Sequence, residues 1–502
     1  MRRGWRGVTL AILAAGFQAF PAHADGLIDN VNGYTVDLAN KVRRFNALVI
    51  RLDGHVSQLL LAKDKRPKGL DWRYDAQGKT MLPGIVDGAG ALISYGLQLT
   101  GLDLSAAHHV AEVEAIVRGY AQTHLEKKWV IGRGLNPVPD AERAAITVTA
   151  LDELVADRPA ILLSADGDSA WANSAALKAA ALPALPANQD GIISGPALAV
   201  MMRVLPEPLP VERDQALVEA QYRLLAKGIT AFTDLGTSER DWNSFRRVAD
   251  VGRLKLRVTS YADNIDGLIS IAGGRPMAWV QDARLRMIGL RLQLDGSLQS
   301  GTAWRTSSSN TALLAVGQRR IEDTRLRNLS SRAAMDGFQL AMIAHGDAAV
   351  EEALNVIDEM VPTYTGERRW RMHGISQISA SDQARLGRNG IIVTGVPNEA
   401  DVHALSVWGS GMNVAASEPI ATMLALGRST NSQHMDEAGL LAFFTSGPAY
   451  AAFADKDFGR LLPGYLADFI LLNGDPLVPT AASRPIQVME NWIGGKREWS
   501  RK

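Results

Sequence analysis

The sequence predicts an α/β protein: a closed (β/α)8 barrel with a small β domain made from both ends of the chain. Three observations lead there. Between residues 81 and 455, apolar strand-like runs alternate with stripes of helical period, and many such units in series make a parallel sheet that closes. The flanking segments, 25–80 and 456–502, carry short strands and turns. The chain has 502 residues, too many for one small domain and enough for a barrel plus a second unit.

Composition narrows the classes. Lys+Arg 53 balances Asp+Glu 53, so no basic field argues for nucleic acid. The chain has no cysteine, which excludes disulfides, thiolate metal sites and a cysteine nucleophile. Residues 1–24 read as a secretory leader. Arg2, Arg3 and Arg6 precede an apolar stretch from Val8 to Phe20, and Ala22-His23-Ala24 gives a small-x-small cleavage site. The apolar run is too short to span a membrane comfortably. The expectation is an exported, periplasmic protein with no membrane attachment after cleavage.

The elements follow in order. Tyr34–Leu61 breaks into strand-like pieces. Val110, Val113, Ile116, Val117 and Tyr120 recur at helical spacing, predicting an amphipathic helix over Ala107–Lys127. Ala160–Leu163 resembles a buried parallel strand. Asp214–Ala226 is helical, Gly228 stops it, and Ile229–Leu235 is a strand; a helix striped by Trp242, Phe245, Val248 and Val251 comes next. Leu254–Tyr261 and Leu285–Leu294 are strands, Thr324–Met335 a helix, Phe338–Ala344 a strand, Ala349–Met360 a helix and Ile391–Val396 a strand. Ala467–Leu472, Ile486–Trp492 and Lys496–Trp499 are strands, the last two joined by a hairpin turn at Gly494-Gly495.

Three motifs carry a resemblance. Met81-Leu82-Pro83-Gly84-Ile85-Val86-Asp87 stands where the first barrel strand begins. Trp129-Val130-Ile131-Gly132-Arg133-Gly134 is followed by the run from Asp166 through Leu177. Gly459-Arg460-Leu461-Leu462-Pro463-Gly464 leads into Ala467-Asp468-Phe469-Ile470-Leu471-Leu472 and Asp475-Pro476. In this order they resemble the amidohydrolase superfamily, in its family 3 branch, from about Asn30 to Trp499. The resemblance implies a TIM-like metal-dependent-hydrolase barrel with a composite β-sandwich. It also implies hydrolysis of non-peptide C–N bonds by one or two divalent metals at the C-terminal mouth, where histidine and carboxylate bind zinc and make hydroxide available.

The ligand positions implied by the resemblance are replaced. The family's Asp-x-His-x-His is Asp87-Gly88-Ala89-Gly90-Ala91, with alanine at both histidines. A lysine that bridges two metals in some members is Arg291, which stays protonated. The histidine of the family's Val-His-Ala-Ile-Gly-Asp is Ile343. In the family's Arg-Ile-Glu-His the glutamate is His373 and the ligand is Gly374. The active-site histidine of Asp-Gly-His is Asp168, and the aspartate of Gly-Ser-Asp is Glu418. The segments after Gly134 and after Val396 are also shorter than the substrate loops of active relatives.

The polar residues left at the expected mouth admit several roles. His345, two residues beyond Ile343, shares its strand face and is either a displaced ligand or base, or a loop histidine. His373, one residue before the lost ligand, should face away from the mouth. Asp87, Asp168, Asp295, Asp347 and Glu418 form either a hard-cation site or partners of Arg291, with Arg291–Glu418 the expected pair. His108-His109 reads as a solvated helix start. Trp129 and Trp304 read as packing residues, with stacking of a ligand at the barrel mouth as the alternative. No Gly-x-Ser-x-Gly elbow, phosphate loop or zincin pattern occurs.

These readings lead to a catalytically degenerate, metal-free pseudoenzyme that binds a small molecule or serves as a non-catalytic subunit beside an active family member. The alternative is a functional hydrolase with a rearranged site of Asp168, Arg291, His345, His373 and Glu418. A divalent metal, zinc, is expected only in that alternative. A purely structural homo-oligomer partner is the third class.

Overall fold

The computed structural model describes residues 24–183, 190–306, 317–376, 378–395, 405–411, 414–428, 435–478 and 485–502. The leader expected over residues 1–24 lies outside them except for its last residue, as does the shortened segment after Val396.

Eight parallel strands form the central sheet: β1 (Ile85–Gly90), β2 (Ile229–Thr237), β3 (Arg257–Ala262), β4 (Leu285–Gln293), β5 (Gln339–Ile343), β6 (Arg371–His373), β7 (Ile392–Thr394) and β8 (Leu405–Val407). Neighbours in sequence are neighbours in the sheet. Just beyond β8 the chain closes on β1: Gly88 N–H donates to Trp408 O at 3.1 Å and Gly411 N–H to Ala89 O at 2.7 Å. The predicted barrel is therefore a barrel. Its strands read as apolar runs because both faces are covered. Leu290, Leu292 and Leu294, for example, join a large core with the surrounding helices, among them Asp323–Met335 and Asp347–Met360.

The two ends make a β-sandwich, as expected. One sheet holds Val56–Leu60, Ala47–Arg51, Ala24–Asp29 and Trp72–Asp75. The other interleaves Lys496–Ser500, Val488–Ile493 and Phe469–Leu472 with Thr80–Pro83, Asn32–Val36 and Val42–Phe45. The tight turn at Gly494-Gly495 has φ of +60° and +71°, a conformation only glycine adopts without strain. The motif Met81–Asp87 divides between the domains. Thr80–Pro83 belongs to the sandwich and the barrel starts at Ile85. Gly84 is the joint, where a Cβ would lie 2.1 Å from the Thr230 hydroxyl.

One element differs from expectation. Ala160–Ser164 is a parallel strand beside Val130–Leu135, but neither is a barrel strand. With Leu102–Asp103, Ser169–Ala172 and Ile192–Ser194 they form a separate five-stranded sheet inserted between β1 and β2, with its own apolar clusters. The same β-then-α alternation builds both sheets, so periodicity alone assigns the insertion to the barrel.

Candidate functional site at the barrel mouth

Below its mouth the barrel is solid. Ala89, Leu235, Tyr261, Ile288 and Ala341 form one interior apolar cluster. Beside it the buried Arg371 guanidinium donates to Gly88 O, to the Thr394 hydroxyl (2.8 Å) and to the Tyr261 hydroxyl (3.4 Å). Above this floor a cavity of about 560 Å³ opens at the C-terminal ends of the strands, within the size range of small-ligand sites. Gln293, Ile343, His373 and Thr394 line it from β4, β5, β6 and β7, with His345 and Ser410 from the following loops.

The turn between strands Ala160–Ser164 and Ser169–Ala172 of the inserted sheet reaches over the cavity and is tied down there. Asp168 accepts from Arg320 Nη2 and Ser297 N–H at 2.7 and 2.6 Å. Burial raises its pKa, and the Arg320 charge opposes that rise. Asp166 accepts from the hydroxyls of Ser164 (2.5 Å), Ser300 (2.6 Å) and Ser297. Burial would raise Asp166 as well, but these hydrogen bonds outweigh it and leave the group below its ordinary value. Asp295, fully buried, accepts from three backbone N–H groups: His345 (2.9 Å), Gly346 (2.8 Å) and Trp304 (2.9 Å). It pins the segments after β4 and β5 to each other.

The structure brings together Asp168, Ile343, His345, His373 and Gly374 of the expected positions. Ala89 lies in the interior cluster, and Ala91 precedes the helix Leu92–Leu99. Glu418 is exposed and pairs with Lys227 at 3.2 Å, so the expected Arg291–Glu418 pair does not form. Asp347 caps local structure by accepting from Thr306 N–H at 2.9 Å. His109 sits at the start of helix Val110–Thr123, its ring 2.8 Å from the Glu142 carboxylate, exposed as expected. Trp129 and Trp304 pack against cores and do not line the cavity.

His373 corrects the sequence reading. It was expected to face away, yet it lines the cavity. Strand alternation explains this once Arg371 is seen to point into the barrel, because residues two apart share a face. Gly374 leaves the strand at φ +84°, and a Cβ there would lie 2.4 Å from the His345 ring. His373 Nδ1 is buried without a hydrogen-bond partner. Burial, with His345 and Arg371 nearby, lowers its pKa to about 3, so the ring is neutral at neutral pH. Sequence reasoning missed Arg320 and the serine cluster around Asp166. Nothing in their spacing marks them, since loops bring them together.

The profile described as the amidohydrolase family matches residues 74–431. The chain belongs to that family, in its family 3 branch. Protein LONG AFTER FAR-RED 3 of Arabidopsis thaliana is 25% identical over 495 residues, spanning 84% of this chain and 82% of the plant protein. Two crystal structures of uncharacterized metal-dependent hydrolases, from Pyrococcus horikoshii and Pyrococcus furiosus, each superpose with a TM-score of 0.71 at 21% identity. Both alignments cover 90% of this chain, with 98% and 100% of the respective archaeal chains. At that identity they establish a shared fold.

The residues at the positions that the resemblance assigns to metal ligands do not fit a divalent metal. Alanine, isoleucine and glycine offer no donor, Arg291 brings a fixed positive charge, and the one surviving carboxylate, Glu418, is bound to Lys227. Among the described residues no three His, Asp or Glu side chains are grouped to hold a metal ion.

Proposed function

We propose that this chain is an exported amidohydrolase-family protein whose barrel mouth has given up metal-dependent hydrolysis and binds a small molecule. The observation that carries this reading is the donor set. Ala89, Ala91, Arg291, Ile343 and Gly374 stand at positions where the family's chemistry needs imidazole or carboxylate, and the His345 ring occupies the space a side chain at 374 would need. A fold by itself fixes no activity, so the loss of these groups weighs more than family membership. Export rests on the leader at Met1–Ala24. Elemental analysis of the mature protein, purified without chelator or nickel resin, tests the reading. The expected result is zinc, iron and manganese far below one per chain, persisting after incubation with each ion. Near-stoichiometric metal refutes it.

One observation favours the alternative of a working hydrolase with a rearranged site: His345 and His373 both line the cavity, and the latter is neutral at neutral pH. In that case His345→Ala or His373→Ala should abolish turnover across a panel of amides. Equal residual rates in wild type and variants would point to a contaminant and remove this support.

A further inference from the structure

Beside the cavity stands a cation, Arg291, that no described side chain bonds directly. Arg291 stands on the face of β4 that also carries Gln293, a cavity-lining residue one pleat further along, while Leu290 and Leu292 turn the other way into the core. Its Nε is buried and has no hydrogen-bond partner, and its guanidinium makes no hydrogen bond or ion pair among the described residues. Asp263, Asp234 and Asp168 act on its charge from nearby, but none bonds to it, and each accepts hydrogen bonds elsewhere. Asp234 accepts from Leu92 N–H at 2.7 Å and the Thr237 hydroxyl at 2.6 Å. Asp263 accepts from the Asn264 amide at 2.6 Å. Asp168 is held by Arg320 and Ser297. The guanidinium lies over Gly236 at the end of β2. A Cβ there would be 3.1 Å from Nη1, and φ at Gly236 is +116°. A side chain at 236 would press on the guanidinium.

An arginine taken out of water keeps its charge, and leaving it unpaired is costly. The nearby acids offset its charge in part, and its unpartnered donors stay open to an anion that enters from solution. Within the cavity the Asp168 charge faces Arg320, and the Asp166 carboxylate accepts hydroxyl donors. A guanidinium's planar fork matches a carboxylate with two parallel hydrogen bonds.

We propose that Arg291 anchors the carboxylate of a small organic acid, whose remaining atoms lie in the cavity against Gln293, Ile343 and His345. This rests on the reading of the mouth as a metal-free ligand site.

Thermal unfolding of the mature protein tests it, with benzoate and succinate as probes and benzamide and succinamide as matched neutral controls. In wild type the two carboxylates should raise Tm and the amides should not. Arg291→Met should abolish the carboxylate response, and Arg291→Lys should retain part of it. Absence of a carboxylate response in wild type, or an equal response in Arg291→Met, overturns the proposal. So does an equal response to inorganic phosphate, which would mark a general anion site. If Arg291→Met does not fold, Arg291→Gln supplies the same readout. Zinc measured on the same samples separates the two claims. Bound zinc with an intact carboxylate response sinks only the metal-free reading. No zinc and no carboxylate response sinks only the assignment of Arg291.

Discussion

Asp87 shows what a buried carboxylate costs at a single residue. It is fully buried. One oxygen accepts from Ala89 N–H at 3.2 Å and Ser410 N–H at 2.9 Å, while Oδ2 has no partner. Burial raises its pKa to about 6, against roughly 3.9 in an unfolded chain. The folded state therefore holds this proton more tightly. The stability it contributes is full below about pH 4 and is lost as pH rises through about 6. Asp87→Asn removes the titration. Urea unfolding at pH 4 and pH 7.5 should show the variant losing less stability between the two than wild type does, by on the order of 2 kcal/mol. Parallel pH curves would mean that Asp87 ionises freely. His373 works in the opposite sense. With a folded pKa of about 3, below the ordinary 6.5, its contribution is present above pH 6.5 and is lost as pH falls toward 3. Positions 89, 291, 343 and 374 are assigned through the resemblance, because motifs flank them in the sequence. The partners of the remaining charges were not. Glu418 goes to Lys227 and Asp168 to Arg320 because loop paths, which no local pattern encodes, decide who meets whom. The face of His373 was misread because β6 has only three residues, and Gly374, used as the reference point, has already left the strand.

At the scale of elements, the mouth is shaped by segments that cross between units, and Asp295 is the main fastening. It accepts the N–H groups of His345 and Gly346 after β5 and of Trp304 in the segment after β4. Asp295→Ala would leave all three without an acceptor, at about 1–3 kcal/mol for each that stays buried. The expected outcome is a loss of several kcal/mol, together with faster hydrogen exchange at the amides of His345, Gly346 and Trp304. Unchanged protection at those amides would show that the segments are held by packing instead. Most elements of the barrel were legible from periodicity. Asp323–Met335 and Asp347–Met360 form within a residue or two of the predicted helices, and Leu285–Gln293 ends one residue short of the predicted strand. The inserted sheet was not legible as separate. Its strands Val130–Leu135 and Ala160–Ser164 are as apolar and parallel as those of the barrel, and only pairing partners distinguish the two.

For the whole molecule, one buried ion pair joins the sandwich to the barrel. Arg257 opens β3 at the end opposite the mouth, and Asp468 precedes the sandwich strand Phe469–Leu472; each side chain is only 2% exposed. The contact is bidentate, Nε to Oδ2 at 2.6 Å and Nη2 to Oδ1 at 2.8 Å. Asp468 Oδ1 also accepts Gly494 N–H at 2.7 Å, and its backbone oxygen accepts Gly84 N–H at 2.9 Å. One aspartate thus fastens the barrel, the C-terminal hairpin and the inter-domain joint. Removing one partner strands a buried charge, which costs about 3–5 kcal/mol, whereas replacing both with apolar groups can be nearly neutral. Asp468→Ala and Arg257→Met should each destabilise by that order. Arg257→Met combined with Asp468→Leu should lose much less than the sum of the Arg257→Met and Asp468→Leu single losses, as read from urea midpoints. Additive losses would mean that the two side chains stabilise their own neighbourhoods independently. The composite domain would then be held to the barrel by the strand pairing of Thr80–Pro83 with Phe469–Leu472 and by the apolar surface around them.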